Sequence, residues 1–453
     1  MPAGGTWTVQ NKIRPGAYIN FVSVPKAIGT LGERGTVAVG MPMTWGPAGK
    51  LIHLTGEDLI NGASLAKVGV TAFDTEASLP YRVALAGCFN ALLFRTDVGG
   101  TKATATIKED TLKVSAKYAG TTGNKITVVT VKDKPQAGST TIQILVGGNL
   151  KEYFVVDKLS AVADIDSDFV EFEVIGTEEA VPETAGVALT GGTNGEVSTD
   201  VYNSFWSLLD TKNFQAIAMY GTDDTVAPLL EEKVRVWREL RGKKVQAVVY
   251  NHAEADYEGI ISVNQGFKTS TETVDTSLFP VWVASMTAGA QVNESLTAAV
   301  VKDGVEIINP VLEDKIEDAL SVGKFILTYR QDGAVCVEKD INTLHTFTVD
   351  KNYAFSKNRV VRCLDEIGNT TALVFNRNYA GKMDNDANGR NQYKTELISM
   401  CDALVGLRAI QNFDGAQDIT VLPGEAVDAV VVDMTIQPVD SMEKLYMTVN
   451  VNA

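Results

Sequence analysis

The chain has 453 residues, enough for two to four domains at roughly 150 residues each. It carries 56 acidic and 40 basic residues, a formal net charge of −16. No Lys/Arg-rich run of the kind that replaces phosphate counterions occurs, so we expect no nucleic-acid partner. Hydrophobic residues make up 45% of the chain, which excludes a wholly disordered protein and is ordinary for a chain with several cores.

The chain shows no targeting pattern. Residues 1–7 lack a basic region followed by an apolar core, so we expect no signal peptide. No stretch approaches about 18 consecutive apolar residues, so we expect no insertion into a membrane. The four cysteines lie far apart and form no CxxC pair, which favours buried thiols over disulfides or metal ligands: Cys88, Cys336, Cys363 and Cys401.

The first predicted elements are strands. Trp7 and Val9 alternate with polar residues, which is the period of a strand, and residues 18–24 form a second extended run after a turn at 14–16. A terminal strand set apart by such a turn needs partners for its backbone groups, either in its own fold or in a neighbouring copy. Apolar runs and a helical pattern at 57–66 then predict the opening of an α/β unit.

Residues 101–195 are rich in Thr and Val and contain short alternating runs separated by turns that contain glycine or proline. Short strands at this spacing predict a small β-sandwich or barrel. The runs lie at 112–116, 125–131, 140–146 and 169–174.

Helical and strand patterns alternate over the next 150 residues. Residues 214–220 and 245–250 are apolar runs, and between them lies a helical pattern that Asp223 or Asp224 can cap. Two apolar strands joined by a helix predict a parallel sheet that is buried on both faces.

The last hundred residues begin with an amphipathic helix predicted at 388–410, and strand patterns at 418–422 and 429–438 follow it. A final run alternates apolar with polar residues from 444 to 451, so the chain begins and ends in strand patterns. The predicted apolar stripe of the helix consists of Tyr393, Leu397, Met400, Cys401, Leu404 and Leu407.

One pattern is similar to a catalytic motif. Residues 284–288 are similar to the nucleophile motif of subtilisin, but Val283 and Ala284 replace its Gly-Thr and its proline is absent. A serine nucleophile also needs a histidine base that an acid orients. His252, at the end of a predicted strand, stands in none of the characteristic contexts. A hydrolase that uses Ser285 and His252 remains an alternative, but we expect no enzyme.

Residues 384–389 begin like an EF-hand calcium loop, whose twelfth position must be a bidentate glutamate. That position is Thr395, and Glu396 comes one residue later. A shift of one residue turns the carboxylate by about 100° on a helix. We therefore expect this segment to cap the long helix, and we expect no metal or cofactor in the chain.

Seven short segments carry a family resemblance together, in chain order. They are RPGAY at 14–18, AGTTGN at 119–124, LTGGTNG at 189–195, INTL at 341–344, KMDNDANGRNQYK at 382–394, AIQNF at 409–413 and PVDSMEKLY at 438–446. With these segments the chain resembles the contractile phage tail sheath family, especially the sheaths of Gram-positive phages, defective prophages and phage-tail-like bacteriocins.

The resemblance implies an α/β and β multidomain chain in which a subtilisin-like, non-catalytic α/β domain carries an inserted β-sandwich. The implied order is an N-terminal arm at 1–24, the first part of the α/β body at 25–100, the β-sandwich at 101–195, the rest of the α/β domain at 196–345, a tube-proximal C-terminal α+β domain at 346–440 and a C-terminal arm at 441–453.

By the same resemblance, the two arms add strands to the C-terminal-domain sheet of neighbouring copies. Trp7 and Val9 would anchor one arm, and Leu445, Met447 and Val449 the other. The implied homo-oligomer is a helical sheath of stacked rings that contracts and drives an inner tube through a target envelope.

The inner tail tube protein, the baseplate and the tail terminator proteins are the further partners that the resemblance implies. Arg390 and Lys394 are candidate contacts with the tube. The sheath would belong to a virion or to a headless bacteriocin particle, and its subunits would be made in the host cytoplasm. A β-rich surface adhesin is the third possibility that the sequence leaves open.

Overall fold

The computed structural model describes the backbone of residues 3–5 and 16–18, and all atoms of residues 34–132 and 139–451. Contacts divide the chain into two compact units. The small unit comprises Met1–Gly32 and Thr370–Gln437, and the large unit comprises Glu33–Asn369 and Pro438–Ala453. None of the helices in the described ranges is long and apolar enough to cross a membrane.

Two short strands near the N-terminus, β1 (Ala3–Gly5) and β2 (Gly16–Tyr18), pair in parallel. The strand predicted around Trp7 and Val9 lies outside the described residues, and so does most of the run predicted at 18–24.

The first half of the α/β body supplies three strands and three short helices. The helix predicted at 57–66 is two helices, because Gly62 adopts a φ of +85°, the left-handed conformation that ends the first of them. Thr55 and Asp58 form a capping box at its start. The elements are β3 (Thr36–Met41), β4 (Leu51–Thr55), α1 (Gly56–Asn61), α2 (Ser64–Val68), α3 (Leu79–Ala84) and β5 (Asn90–Arg95).

The next segment folds into the predicted β-sandwich. Its strands are β6 (Asp97–Val98), β7 (Thr104–Lys108), β8 (Leu112–Ala116), β9 (Ile126–Lys132), β10 (Thr140–Val146), β11 (Asn149–Val156), β12 (Val170–Val174), β13 (Thr184–Ala188) and β14 (Glu196–Val197). One sheet has the order β11-β10-β9-β13 and the other β12-β8-β7. Strands β8 and β10 have the predicted bounds, whereas β7, β11 and β13 were not predicted.

A buried ion pair stands where the sandwich leaves the α/β body. Arg95 lies 2.5 Å from Asp97, and the two side chains are almost fully buried. Arg95 also donates to the carbonyl oxygens of Gly46 and Ala119, and Asp97 accepts the amide of Gly195. The chain passes from the body into the sandwich and back again, and this pair forms hydrogen bonds at both passages. It therefore fixes the sandwich to the body.

The second half of the body completes a six-stranded sheet with the order β17-β16-β15-β3-β5-β4, in which only β4 is antiparallel. The predicted strands and the helix between them are present. Asp223 is not the N-cap, however: it accepts hydrogen bonds from the amide and hydroxyl of Thr225, which holds that position. The elements are α4 (Tyr202–Leu209), β15 (Ala216–Met219), α5 (Val226–Arg235), β16 (Gln246–Tyr250), β17 (Ile260–Val263), β18 (Gly266–Thr269) and β19 (Thr273–Val274).

The helix α6 (Phe279–Gly289) is a core helix, because nine of its eleven residues are buried. It packs against β3, β15 and β16. A Cβ atom on Gly289 would lie 1.6 Å from the carbonyl oxygen of Gly87, so only glycine allows this close approach. The large unit continues with β20 (Gly304–Ile308), α7 (Ile316–Ser321), β21 (Leu327–Tyr329) and β22 (Val335–Val337).

The small unit is built on the predicted long helix, which spans Ala387–Gly406. Five residues of its predicted stripe are buried, whereas Leu407 follows the last helical residue and is 44% exposed. Helix α8 (Asn358–Val374) begins in the large unit, which includes its residues up to Asn369. The elements that follow it are α9 (Ala387–Gly406), β23 (Ile410–Gln411), α10 (Gly415–Asp418), β24 (Ile419–Pro423), β25 (Val430–Met434) and β26 (Gln437–Pro438).

Replacing Gly289 by alanine should destabilise the large unit by about 2 kcal/mol, because the added methyl group overlaps the Gly87 carbonyl and forces α6 to shift. Gly406→Ala is the matched control. Gly406 also ends a helix, but a Cβ atom there meets nothing within 4 Å. Gly406→Ala should therefore raise the free energy of unfolding by at most about 1 kcal/mol. Urea unfolding followed by circular dichroism measures both. Wild-type stability of Gly289→Ala would contradict the close packing.

Candidate assembly interface

The structure does not bring the two candidate catalytic residues together. Ser285 is buried in α6, where its hydroxyl accepts the amide of Gly87 at 3.0 Å and donates to the sulfur of Cys88 at 3.4 Å. His252 lies with one ring nitrogen 2.7 Å from Glu231 and the other 3.1 Å from Glu254. Both residues therefore have other partners, and burial raises the pKa of the Cys88 thiol rather than activating it.

All four cysteines are buried, as the sequence predicts. Within the described ranges, no group of three or more His, Cys, Asp or Glu side chains is placed to hold a metal ion.

The calcium-like loop caps a helix, as predicted. Asp386 accepts the amide of Gly389 at 2.7 Å and so forms the N-cap of α9. Asn385 donates to the carbonyl oxygens of Val427 and Ala429, which joins the loop to the turn before β25. The residue at the position of the calcium-binding glutamate, Thr395, donates instead to a backbone carbonyl of its own helix.

The two candidate tube contacts lie on the first turns of α9 and bond within the small unit. Arg390 donates to the backbone carbonyl and the side-chain oxygen of Asn385 at 2.9 Å. Lys394 donates to the carbonyl of Ala416 at 3.2 Å. Both side chains are partly exposed.

Strands β24 and β25 form a two-stranded hairpin with open edges. Ile419 pairs with Met434 at one end and Pro423 with Val430 at the other. Among the strands in the described ranges, none pairs with the outer edge of either strand. Ile419 is buried, and β24 packs against α9, but Val432 and Met434 are only half-buried. Within the part of the chain that the structure describes, the hairpin therefore has backbone edges that no strand pairs with and an incompletely covered apolar face.

The C-terminal segment is the second open feature. Residues 439–451 form no strand within the single subunit, although the sequence predicts one. Exposed apolar patches of this kind mark interaction sites. Six of its apolar side chains are between 69% and 103% exposed: Met442, Leu445, Tyr446, Met447, Val449 and Val451.

The segment is anchored to the large unit at Glu443. The carboxylate of Glu443 accepts a hydrogen bond from the ammonium group of Lys357 and another, of 2.9 Å, from the hydroxyl of Thr297. Only 4% of the Lys357 side chain and 13% of the Glu443 side chain are exposed. Burial alone would raise the pKa of Glu443, but the hydrogen bond and charge of Lys357, with the Thr297 hydroxyl, outweigh it and lower the pKa.

The buried interaction of Glu443 with Lys357 was not predicted from the sequence, although one signal was available. In the alternation of the last residues, Glu443 occupies the same register as the apolar residues Leu445, Met447 and Val449. A carboxylate in an apolar register points to a buried cation elsewhere in the chain. No spacing in the sequence connects it to Lys357, which lies 86 residues earlier.

The fold and the hairpin edges define a class: a multidomain α/β subunit with a β-sandwich domain and a hairpin whose outer edges pair with none of the described strands. Three family domains match the chain. They are the phage tail sheath protein β-sandwich domain at residues 98–194, the phage tail sheath protein central domain at 195–343, and the phage tail sheath C-terminal domain at 350–452.

The chain is 32% identical to the phage-like element PBSX protein XkdK of Bacillus subtilis, over 99% of this chain and 100% of that protein. Its fold is similar to the crystal structure of the sheath tail protein from Desulfitobacterium hafniense, with a TM-score of 0.80 and 36% identity over 95% and 99% of the two chains. The sheath tail protein Lin1278 from Listeria innocua is similar with a TM-score of 0.81 and 31% identity over 93% and 96%.

The chain therefore belongs to the phage tail sheath protein family, which confirms the resemblance drawn from the sequence. It is a structural subunit of a tail sheath.

The lowered pKa of Glu443 predicts a dependence on pH. Because the pKa is lower in the folded chain, the Glu443–Lys357 pair stabilises the fold above the ordinary carboxyl pKa, and this stabilisation is lost as the pH falls through the folded pKa. Glu443→Gln should cost about 2 kcal/mol at pH 7 and less near pH 3, because protonation of the carboxylate removes its charge from the pair. Urea unfolding at both pH values measures this.

Glu306→Gln is the control for this experiment, because Glu306 forms an exposed ion pair with Lys268. It should cost less than about 0.5 kcal/mol at either pH. An equal cost of Glu443→Gln at pH 7 and pH 3 would contradict the buried pair.

Proposed function

We propose that copies of this chain polymerise into a contractile sheath in which the C-terminal segment of one copy adds a strand to the β24–β25 hairpin of the next. The observation that carries this proposal is the coexistence, among the described residues, of a hairpin whose outer edges pair with no strand and an apolar segment that the single subunit leaves exposed. Each supplies what the other lacks: the hairpin has free backbone groups, and the segment has alternating side chains.

The register of the added strand follows from the hairpin. Ile419, Val432 and Met434 lie on the face towards α9, and this face is only partly covered. A strand that places Leu445, Met447 and Val449 on that side would extend the apolar layer over α9. The polar residues between them would face outwards, in line with the alternation of the sheet.

The geometry of such a contact favours an open polymer. The donor segment and the acceptor hairpin are different surfaces, so the contact is heterologous rather than self-complementary. A heterologous contact repeats from copy to copy and closes into a ring or continues as a helix, according to the rotation between copies. Stacked rings that share strands would form one connected mesh.

The N-terminal arm takes the second edge in this proposal. Trp7 and Val9 would provide its anchoring side, and these residues lie outside the described part of the chain. With one strand from each neighbour, the two-stranded hairpin becomes a four-stranded sheet in which all inner edges are paired.

Contraction needs links that survive while the subunit bodies move. Main-chain hydrogen bonds between strands hold a connection through a short segment, and the bodies can rotate about it. The extended lattice would persist behind an activation barrier and release energy when the bodies form better-matched contacts, without nucleotide hydrolysis. The net charge of −16 would keep free subunits apart before assembly.

The inner tail tube protein, the baseplate and the tail terminator proteins are the further partners in this proposal. Arg390 and Lys394, partly exposed on the first turns of α9, would contact the tube. The assembled sheath would be part of a virion or a headless tail-like particle, with subunits made in the host cytoplasm.

The α/β domain would act as a subtilisin-like scaffold without catalytic activity. The buried Ser285, bonded to Gly87 and Cys88, supports this part of the proposal, since a nucleophile has to reach its substrate. No observation favours the hydrolase or the surface adhesin over the sheath.

Placing aspartate at Leu445 and Met447 should abolish assembly, because the added strand would bury two unpaired charges against α9. Aspartate at Tyr446 and Thr448 is the matched control: it has the same charge in the same segment but faces outwards, so tubes should still form. A chain lacking residues 445–453 should stay folded and monomeric. Electron microscopy and sedimentation measure assembly, and circular dichroism measures folding.

Normal tubes from the truncated chain would contradict strand exchange. An equal loss of tubes in the two aspartate variants would contradict the proposed register.

A further inference from the structure

We propose that Lys357 and Thr297 form a buried clamp on Glu443, so that the C-terminal segment leaves the subunit as a short strap of fixed length rather than as a flexible tail. The clamp is defined by these three residues, and the strap by residues 444–453. The inference rests on the proposed strand exchange for its purpose, but its geometry lies within the large unit.

The clamp holds one carboxylate with two oriented donors. Lys357 provides a charge-assisted hydrogen bond from a side chain that is almost fully buried. The hydroxyl of Thr297 accepts the backbone amide of Asp340 at 2.9 Å, which leaves its proton directed at Glu443. Asp440, with an oxygen 3.8 Å from the ammonium group of Lys357, adds a second negative charge from the same segment.

Lys357 and Thr297 are each held in position by a buried polar network. The backbone of Lys357 forms an isolated antiparallel β-bridge with Ile341. The next residue, Asn358, donates a hydrogen bond to the carboxylate of Asp340 at 2.9 Å. Asp340 also accepts the amide of Leu296, the residue before Thr297, at 3.0 Å. The carboxylate of Asp340 therefore connects the Lys357 side of the clamp to the Thr297 side.

Asn358 extends this network to the main sheet. Its side-chain oxygen accepts a hydrogen bond of 3.0 Å from Gln246, the first residue of β16. Thr297 lies in a turn and Lys357 in an isolated bridge, and this network connects both to a strand, which holds its geometry better than a loop does. The clamp is thus a part of the rigid core of the large unit.

The strap begins directly after the clamp. From Lys444 onwards the described residues are exposed, whereas Glu443 is held. Residues 444–453 span at most about 35 Å when extended. The apolar alternation occupies 445–451, so Lys444 alone is left to connect the clamp to the added strand.

A linker of one residue has a mechanical consequence. The neighbour's sheet must stay within about 4 to 7 Å of the clamp, the length of one or two extended residues. The two bodies can therefore turn about Lys444, but they cannot separate there without releasing the strand or breaking the clamp.

Electron spin resonance on the full-length monomer tests the clamp. Spin labels on cysteines at Met442 and Val349, both fully exposed, should give one narrow distance distribution. In Lys357→Met the distribution should become roughly twice as wide, because Glu443 loses its buried cation. Lys357→Arg keeps the charge and should restore most of the narrow distribution.

Lys268→Met is the matched control, because it removes a lysine from an exposed ion pair of the same large unit. It should leave the distribution unchanged. A distribution as narrow in Lys357→Met as in the wild type would overturn the clamp.

The strap has a second test that separates it from strand exchange. Four residues, Gly-Ser-Gly-Ser, inserted between Glu443 and Lys444 should leave assembly possible but increase the variation in subunit spacing along the tubes seen by electron microscopy. Tubes as regular as those of the wild type would overturn the fixed length. If the chain lacking residues 445–453 assembles normally, strand exchange is wrong, and the spin-label distances still decide on the clamp.

Discussion

A backbone donor or acceptor on the edge of a strand needs a partner, and among the described residues two strand edges and one terminal segment pair with no strand. The hairpin β24–β25 is too small to be a complete sheet, since a pair of strands is marginally stable by itself and its outer edges are open. The C-terminal segment exposes six apolar side chains that a monomer gains nothing from exposing. Each feature destabilises the single subunit but can form a contact between subunits in a polymer. The proposed assembly follows from this need for partners.

The large unit provides the rigidity that such contacts require. Its sheet is covered by a core helix that approaches the neighbouring loop too closely for any residue but glycine at position 289. The sandwich is held at its root by the buried Arg95–Asp97 pair, and Arg238 binds Asp365 of α8 through two hydrogen bonds of 2.6 and 2.8 Å. Buried ion pairs add little net stability, but they specify one geometry, because a displaced charge would be left unpaired. A sheath that passes force between subunits needs bodies of this kind.

Strict periodicity decided how much of the fold could be predicted. Strands β8 and β10, whose residues alternate between core and surface, were predicted with their observed bounds. Five of the six residues predicted for the stripe of α9 are buried, but the helix ends at Gly406, before the sixth residue, Leu407. The missed strand β11 is an edge strand with exposed apolar residues and a shift in register, so its sequence carries no clean alternation. The helix at 57–66 was predicted as one because a glycine in the left-handed conformation looks, in sequence, like any glycine within a helix.

The site was predictable only in its local parts. The terminal apolar alternation can be read from neighbouring residues, and the segment at 384–389 was predicted to cap the long helix, which Asp386 does in the structure. The clamp could not be predicted, because Thr297, Lys357 and Glu443 lie far apart in the chain and meet only through the folded sheet. The lack of a base beside Ser285 likewise became visible only when both nitrogens of His252 were found next to glutamates.

In the proposed assembly, the hairpin of one copy receives the terminal segment of another. Cryo-electron microscopy of tubes assembled from the full-length chain tests it most directly, because the density shows which strands border β24 and β25. The account predicts at least one added strand, formed by residues 445–451 of a neighbouring copy, with Leu445, Met447 and Val449 facing α9. A hairpin that is still two-stranded in the polymer, or a terminal segment folded back onto its own subunit, would contradict the account.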